Sequence, residues 1–312
     1  MNLPLRSLLI LLVVGGACFF TYKHTPHHDT GNVFTTLYMH LVPEPLVVDN
    51  HPAEGHEMET MLEVPLPGFL GFLTPPGADG KLPFYNLQLF QLASVLLVFV
   101  CFLGVPAYIR TGKGDAIARI FSGWAMWIRD EMVVPVMGKE HGRQYLPYFL
   151  CLFFFLVFIN LMGLVPMSVT ATTSIFVTGA MALVTLAMMI GCGMAVQGPL
   201  AFWKNLVPHV PAALWPLMFV VEVIGLLVKP FALTIRLFAN MSGGHMVVLS
   251  FMGLIFFFAS NMSTGAGWGI TPVAVGFAVF IMIIESFVAL LQAYIFTQLS
   301  ILFIGASIHP EH

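Results

Sequence analysis

A chain of 312 residues with 58% hydrophobic and 9% charged residues cannot build a water-soluble surface, for which about a quarter of the residues carry charge. The net charge of −3 is small and unevenly spread: no Asp, Glu, Lys or Arg occurs between Arg143 and Lys204. Composition thus excludes a soluble globular domain and gives no footing for nucleic-acid binding, because the one basic cluster lies between apolar runs.

The chain opens MNLPLRSLLILLVVGGACFFTYK, with Arg6 ahead of an apolar stretch of signal-peptide length and small residues from Gly15 to Cys18. Residues 1–20 are expected to act as a signal peptide or a first hydrophobic helix. Residues 21–85 form an acidic, polar segment expected outside the cell membrane, with Asp29, Glu44, Asp49, Glu54, Glu57, Glu59, Glu63 and Asp79 against Lys23 and Lys81. Its HTPHHD cluster (His24, His27, His28, Asp29) has metal-binding residue types, but no helical period gathers them, and a solvated segment is expected. The stretch PLPGFLGFLTPPGADGK reads as turns or a short hairpin. Cys18, Cys101, Cys151 and Cys192 sit in apolar runs without metal-like spacing and are expected to pack as small apolar side chains.

Residues 86–312 are expected to form one membrane domain. Apolar segments run over about 86–109, 146–166, 172–195, 214–258 and 271–306. The loop 110–145 between the first two carries Arg110, Lys113, Arg119, Arg129, Lys139 and Arg143, and AIARIFSGWAMWIRDEMVVPV within it suits an amphipathic helix on the membrane surface. The positive-inside rule puts that loop and the C-terminus in the cytoplasm, or in the matrix or stroma of an organelle, and the 21–85 segment and the uncharged loop 259–270 outside, in the periplasm of a bacterium. The fold class is all-α and polytopic, with about five transmembrane helices plus the N-terminal segment. The last two runs far exceed the roughly 30 Å hydrocarbon core. They are expected as a strongly tilted hairpin, with a kink at Pro230 or a partly re-entrant path as alternatives for the first.

Those two runs hold Glu222, Lys229, Arg236, His245 and Glu285, with Asn240 and Gln292 as polar neighbours. Spacings of 7, 7 and 4 place Glu222, Lys229, Arg236 and Asn240 on one helix face, and nine residues turn His245 to the opposite side. Counted inward from the connecting loop, His245 and Glu285 share one depth; Arg236 and Gln292 share a deeper one. Polar groups that only glue helices together contribute about 0.6 kcal/mol each, little against the roughly 2.5–3.5 kcal/mol an intramembrane arginine costs on insertion scales. Imidazole titrates near neutrality, and a carboxyl in apolar surroundings holds its proton more firmly than in water, so the His/Glu pair suits proton transfer. Arginine keeps its proton and can serve only as a fixed cation.

No phosphate-binding loop, zinc motif or nucleophile triad is present, so no cofactor is expected and the energy source lies in another chain or an ion gradient. KPFALTIRLFANMSGGH (229–245) resembles the most characteristic motif of the a subunit of F-type ATP synthases. FINLMGLVP, TATTSIFVTGAMAL and LLQAYIFTQLSILFI are similar to its upstream hairpin and last helix, and the resemblance covers about 86–308. It implies a non-catalytic stator subunit of the membrane sector; a bacterial inner membrane is expected, with an organellar inner membrane as the alternative. The implied partners are a ring of c subunits, the b subunits of the peripheral stalk and the rest of the ATP synthase. It further implies Arg236 facing the ring with Gln292 and Asn240 nearby, His245 and Glu285 in the half-channel from outside, and Glu222 in the exit half-channel. Gly163 stands where some bacterial members carry an acid. A transporter working alone is the rival; it calls for inverted repeats, which the sequence lacks.

Overall fold

Within a bilayer the backbone has no partner but itself, so long apolar runs fold as helices. In the computed structural model residues 3–25, 43–47, 63–65, 81–165, 168, 170–207, 210–211 and 214–309 are described. Their helices are α1 (Leu3–His24), α2 (Asn86–Phe102), α3 (Val105–Thr111), α4 (Ala116–Trp127), α5 (Val134–Gly163), α6 (Ile175–Gln197), α7 (Pro199–Asn205), α8 (Trp215–Asn261) and α9 (Thr264–Ile308). By length and composition six runs can cross a membrane: Leu5–His24, Asn86–Thr111, Ala116–Gly163, Ile175–Gln197, Trp215–Asn261 and Thr264–Ile308. The chain is a polytopic membrane protein whose membrane-spanning runs are all helical among the described residues. A short antiparallel pair, β1 (Glu63–Pro65) with β2 (Lys81–Pro83), closes the base of the expected hairpin, whose tip lies outside the described residues.

Helix α1 is built into the bundle. Ala17 and Cys18 pack on Phe90, Ala93 and Leu97 of α2 and on Met162 of α5. At its start Arg6 is buried, 1% exposed, and its guanidinium meets the Asp115 carboxylate at 3.0 Å. Gly104 makes room for it, since a Cβ there would lie 2.5 Å from an Arg6 nitrogen. At the other end of α1 the His24 ring contacts the Val47 carbonyl at 3.0 Å, Val47 N–H donates to the His24 carbonyl, and Leu46 N–H donates to Phe84. Residues 43–47 therefore tie the end of α1 to the start of α2. Within the polar 21–85 segment Leu46 and Val47 are buried. His27, His28 and Asp29 lie outside the described residues.

The loop expected over 110–145 is largely helical. In α4 and the π-helical stretch Ile128–Val133, the buried residues Ala118, Ser122, Ala125, Ile128 and Met132 recur every three or four positions. Gly138, at φ 73° and ψ 177°, breaks the run before the rest of α5. The expected loop 259–270 shrinks to Met262 and Ser263, where the Ser263 hydroxyl caps α9 by accepting from Ala266 N–H. Small residues allow this tight reversal: a Cβ on Gly267 would lie 2.6 Å from that of Ala259. The re-entrant alternative for 214–258 does not hold, because α8 is one helix of 47 residues through Pro230. Leu226, Pro230, Leu233, Leu237 and Met241 form its buried stripe. The core joins that stripe to Phe149, Phe153 and Leu156 of α5 and to Ala289, Ala293, Phe296 and Ile304 of α9. Cys18, Cys101 and Cys192 are buried, whereas Cys151 is exposed on the outside of the bundle.

Removing one partner of a buried ion pair typically costs about 3–5 kcal/mol. Arg6→Ala should therefore lower the thermal unfolding midpoint of the detergent-solubilised chain. The double variant Arg6→Ala/Asp115→Ala should regain part of the loss, because no charge is left unpaired. Equal midpoints for Arg6→Ala and the unaltered chain would remove the pair as an anchor of α1.

Candidate functional site

The site lies along the seam where α8 and α9 run antiparallel. Contacts climb that seam as a ladder. Phe251 stacks on Phe277 at 5.2 Å between centroids, His245 Nδ1 meets Glu285 Oε1 at 2.5 Å, and Asn240 Nδ2 donates to Gln292 Oε1 at 2.9 Å. The expected neighbourhood of His245 and Glu285 is thus a direct hydrogen bond. At the deeper level Asn240, one helical turn from Arg236, is the residue that bonds Gln292.

His245 is held on both sides of its ring. Its Nε2 faces the Gly163 carbonyl at 3.0 Å and the Thr170 hydroxyl at 2.5 Å, while that hydroxyl donates to the same carbonyl at 3.1 Å. A carbonyl only accepts, so Nε2 carries a hydrogen. Nδ1 is then the ring nitrogen that faces the Glu285 carboxyl, so that imidazole and carboxyl are joined by one short hydrogen bond. Position 163 needs a glycine here, because a Cβ would run into Thr170. Glu285 is 4% exposed, with its carboxyl lying against Gly244, where a Cβ would come within 2.8 Å of Oε1. Beyond it a groove of about 210 Å³, lined by Asn240, Gly243, Gly244, Ile284 and Glu285, opens on the outer face of the hairpin.

Asn160 braces the seam from behind. It is fully buried, accepts from the Thr172 hydroxyl at 3.0 Å and donates to the Ala289 carbonyl at 3.4 Å. Neither Asn160, Thr170 nor Thr172 stood out as a functional residue in the sequence. The available signal was an Asn inside an apolar run followed by the Thr-rich turn 170–173, on the two sides of one sharp reversal.

Arg236 is placed differently. It sits near the midpoint of α8, on the flank of the buried stripe, and is exposed on the outside of the chain. Among the described residues no carboxylate pairs with it. Lys229 and Glu222, one and two repeats earlier on that flank, face a cavity of about 530 Å³ shared with Gln197, Asn205, Ser307 and His309. The Lys229 ammonium lies 5.5 Å from the centre of the Phe303 ring. Two polar centres, the His245–Glu285 pair with its groove and the Glu222 cavity, therefore lie toward opposite ends of the hairpin, with an unpaired guanidinium between them. Gln292 is 1% exposed, and its amide nitrogen has no hydrogen-bond partner among the described residues.

Residues 89–305 match a family model described as ATP synthase A chain. An ATP synthase subunit a of Myxococcus xanthus is 40% identical over 222 residues, 71% of this chain and 71% of that protein. One of Chloroherpeton thalassium is 38% identical over 276 residues, covering 86% and 79% of the two chains. One of an Anaeromyxobacter species is 35% identical over 290 residues, covering 92% and 65%.

The ladder is testable by cross-linking in a chain whose native cysteines are replaced by Ser. The pairs Asn240→Cys/Gln292→Cys and His245→Cys/Glu285→Cys should each be joined by a short thiol cross-linker. Arg236→Cys/Glu285→Cys should not, since Arg236 lies about 13.5 Å along α8 from His245. Efficient joining of that last pair would mean that the register is wrong.

Proposed function

The chain belongs to the ATP synthase subunit a family, and from that premise we propose that it is the proton-conducting stator subunit of the membrane sector, holding two half-channels and the arginine that separates them. The observation that carries this reading is Arg236, a permanent cation exposed near the middle of a helix 47 residues long, with no carboxylate paired to it among the described residues. Such a charge at bilayer depth calls for an anion from another chain. A ring of c subunits, each with one membrane-embedded carboxyl, supplies that anion.

In this reading the outer half-channel ends at His245 and Glu285. The short bond lets a proton pass between His245 Nδ1 and Glu285, and the Glu285 carboxyl, which borders the groove beside Gly243 and Gly244, is the group that hands it on. A ring carboxylate standing at that groove takes the proton and becomes neutral, so the ring can carry it through lipid. After nearly a full turn the carboxyl meets the cavity around Glu222 and releases its proton to the other side. Arg236 stands between the two stations. Its field keeps a carboxylate ionised as it passes, and its charge, which cannot be given up, bars a proton from running straight from one station to the other. The open donor on Gln292 and the Asn240–Gln292 bond keep polar groups at that level of the seam.

The long helices fit the same role. At 1.5 Å per residue α8 and α9 measure about 70 and 68 Å, more than twice the hydrocarbon thickness, so they lean across the bilayer and lay their shared outer face along the curved ring. The Arg-rich 110–145 region faces the cytoplasm of a bacterial inner membrane, and the segment after α1 faces the periplasm. Nucleotide chemistry belongs to other subunits, and the b subunits hold this one still against the ring.

Arg236→Ala should abolish ATP synthesis and ATP-driven pumping in an assembled complex, and Arg236→Gln should do the same because it keeps shape without charge. Near-normal pumping by either variant would sink the proposal. Removing a positioned acid–base group costs about 10²–10⁴-fold in enzymes; with water filling part of the space, Glu285→Gln and His245→Ala should each slow coupled proton flux by about tenfold or more. Thr170→Val, which takes away one acceptor for His245 Nε2, should have a smaller effect in the same direction.

A further inference from the structure

The cavity around Glu222 has an outlet that the proposed mechanism leaves unassigned. Its walls come from five helices: Val136 on α5, Glu222 and Lys229 on α8, Gln197 at the end of α6, Asn205 at the end of α7, and Ser307 with His309 at the end of α9. The polar groups are organised. Gln197 donates to the Ser307 carbonyl at 2.7 Å, Asn205 donates to Gln197 at 3.1 Å, and the Ser307 hydroxyl donates to Met189 at 2.6 Å. A volume of about 530 Å³ is many times the roughly 30 Å³ that a water occupies in the liquid. At the rim His309 is exposed, and its ring meets that of His141 on α5 at 5.2 Å between centroids, edge to face at 61°.

We propose that His309, backed by His141, is the proton-exchange port at the mouth of this cavity, rather than a side chain that merely ends α9. The inference rests on the half-channel reading above. Water in the cavity connects Glu222 to the rim; His309 takes a proton from bulk buffer, becomes imidazolium, and loses it to cavity water, or runs the same transfer in reverse. Supply makes such a group useful. At neutral pH free protons at about 10⁻⁷ M, arriving at a diffusion limit of about 10⁹–10¹⁰ M⁻¹s⁻¹, load a single site only about 10²–10³ times per second. A rim group that exchanges protons with buffer can instead be loaded by molecules far more abundant than free protons, and imidazole is a side chain suited to such exchange. Among the described residues the charged or titratable groups around His309 are Glu222 and Lys229 from α8 and His141 from α5, while α6 and α7 present the neutral Gln197 and Asn205. Lys139, Glu140 and Arg143 are exposed beside His141, and Lys204 on α7 is exposed as well.

The test is ATP-driven acidification of inverted membrane vesicles carrying the assembled complex, in which protons are drawn through this cavity from the outer medium. Rates are compared at low and high concentrations of an impermeant near-neutral buffer, from neutral to mildly alkaline pH. His309→Ala and His309→Gln should pump several-fold more slowly than the unaltered complex at low buffer, with the gap widening as pH rises, and should return close to its rate at high buffer. His141→Ala should show the same pattern more weakly. Unaltered rates for His309→Ala at low buffer would overturn the proposal, and so would a loss that high buffer does not relieve, since that would be damage to the fold or to assembly. Arg236→Ala separates the two readings. If it pumps normally, the half-channel reading fails; if it is dead while His309→Ala pumps normally at low buffer, only the port fails.

Discussion

A polar side chain inside a bilayer must find its partner within the protein, and the seam between α8 and α9 is arranged around that requirement. Two bonds set its register, His245 to Glu285 and Asn240 to Gln292. Slipping one helix by a single residue would turn its side chains by about 100° and separate both pairs at once. Small residues let the helices come close enough for the bonds to form. Gly244 receives the Glu285 carboxyl, Gly163 receives Thr170, and Ala289 and Ala293 lie fully buried on the inner side of α9. The remaining helices brace this seam, most directly through Asn160 of α5, which holds both the Thr-rich turn and the α9 backbone.

The two faces of the hairpin have opposite electrostatic character. On the inner face the titratable pair is held within the chain: His245 has three partners, and Glu285 is 4% exposed. On the outer face Arg236 is left open. That asymmetry separates a hydrogen-bonded imidazole–carboxyl pair from a permanent cation. About 13.5 Å of helix keeps His245 and Arg236 apart, far enough that the guanidinium does not take over the carboxylate the histidine needs.

The N-terminal helix shows the same economy with buried charge. Arg6 would be costly in an apolar helix by itself; paired with Asp115 beside Gly104, it pins the start of α1 to the end of the bundle where the Arg-rich region begins. Residues 43–47 close the other end. The first helix is thereby tied to the membrane domain at both of its ends, and the two ends of α1 mark opposite faces of the bundle.

Much of this was written in the sequence, because bilayer constraints act locally. Runs of apolar residues announced the helices, charge counts divided the loops, and the costly residues Arg236, His245 and Glu285 stood out in a background with almost no charge. Helical period and matched counting inward sufficed to bring His245 to Glu285, since two antiparallel helices of known rise have nearly one degree of freedom between them. What the sequence left open depends on contacts between distant segments. The loop over 259–270 disappeared because Gly267 can lie on Ala259. Asn240 rather than Arg236 reached Gln292, a matter of one helical turn that counting from an assumed loop could not resolve. Thr170, Asn160, His309 and His141 were ordinary residues until folding set them against His245, Ala289 and one another. A side chain's cost of burial is fixed by its own chemistry and can be read in one dimension; its partner is fixed by packing, which exists only in three.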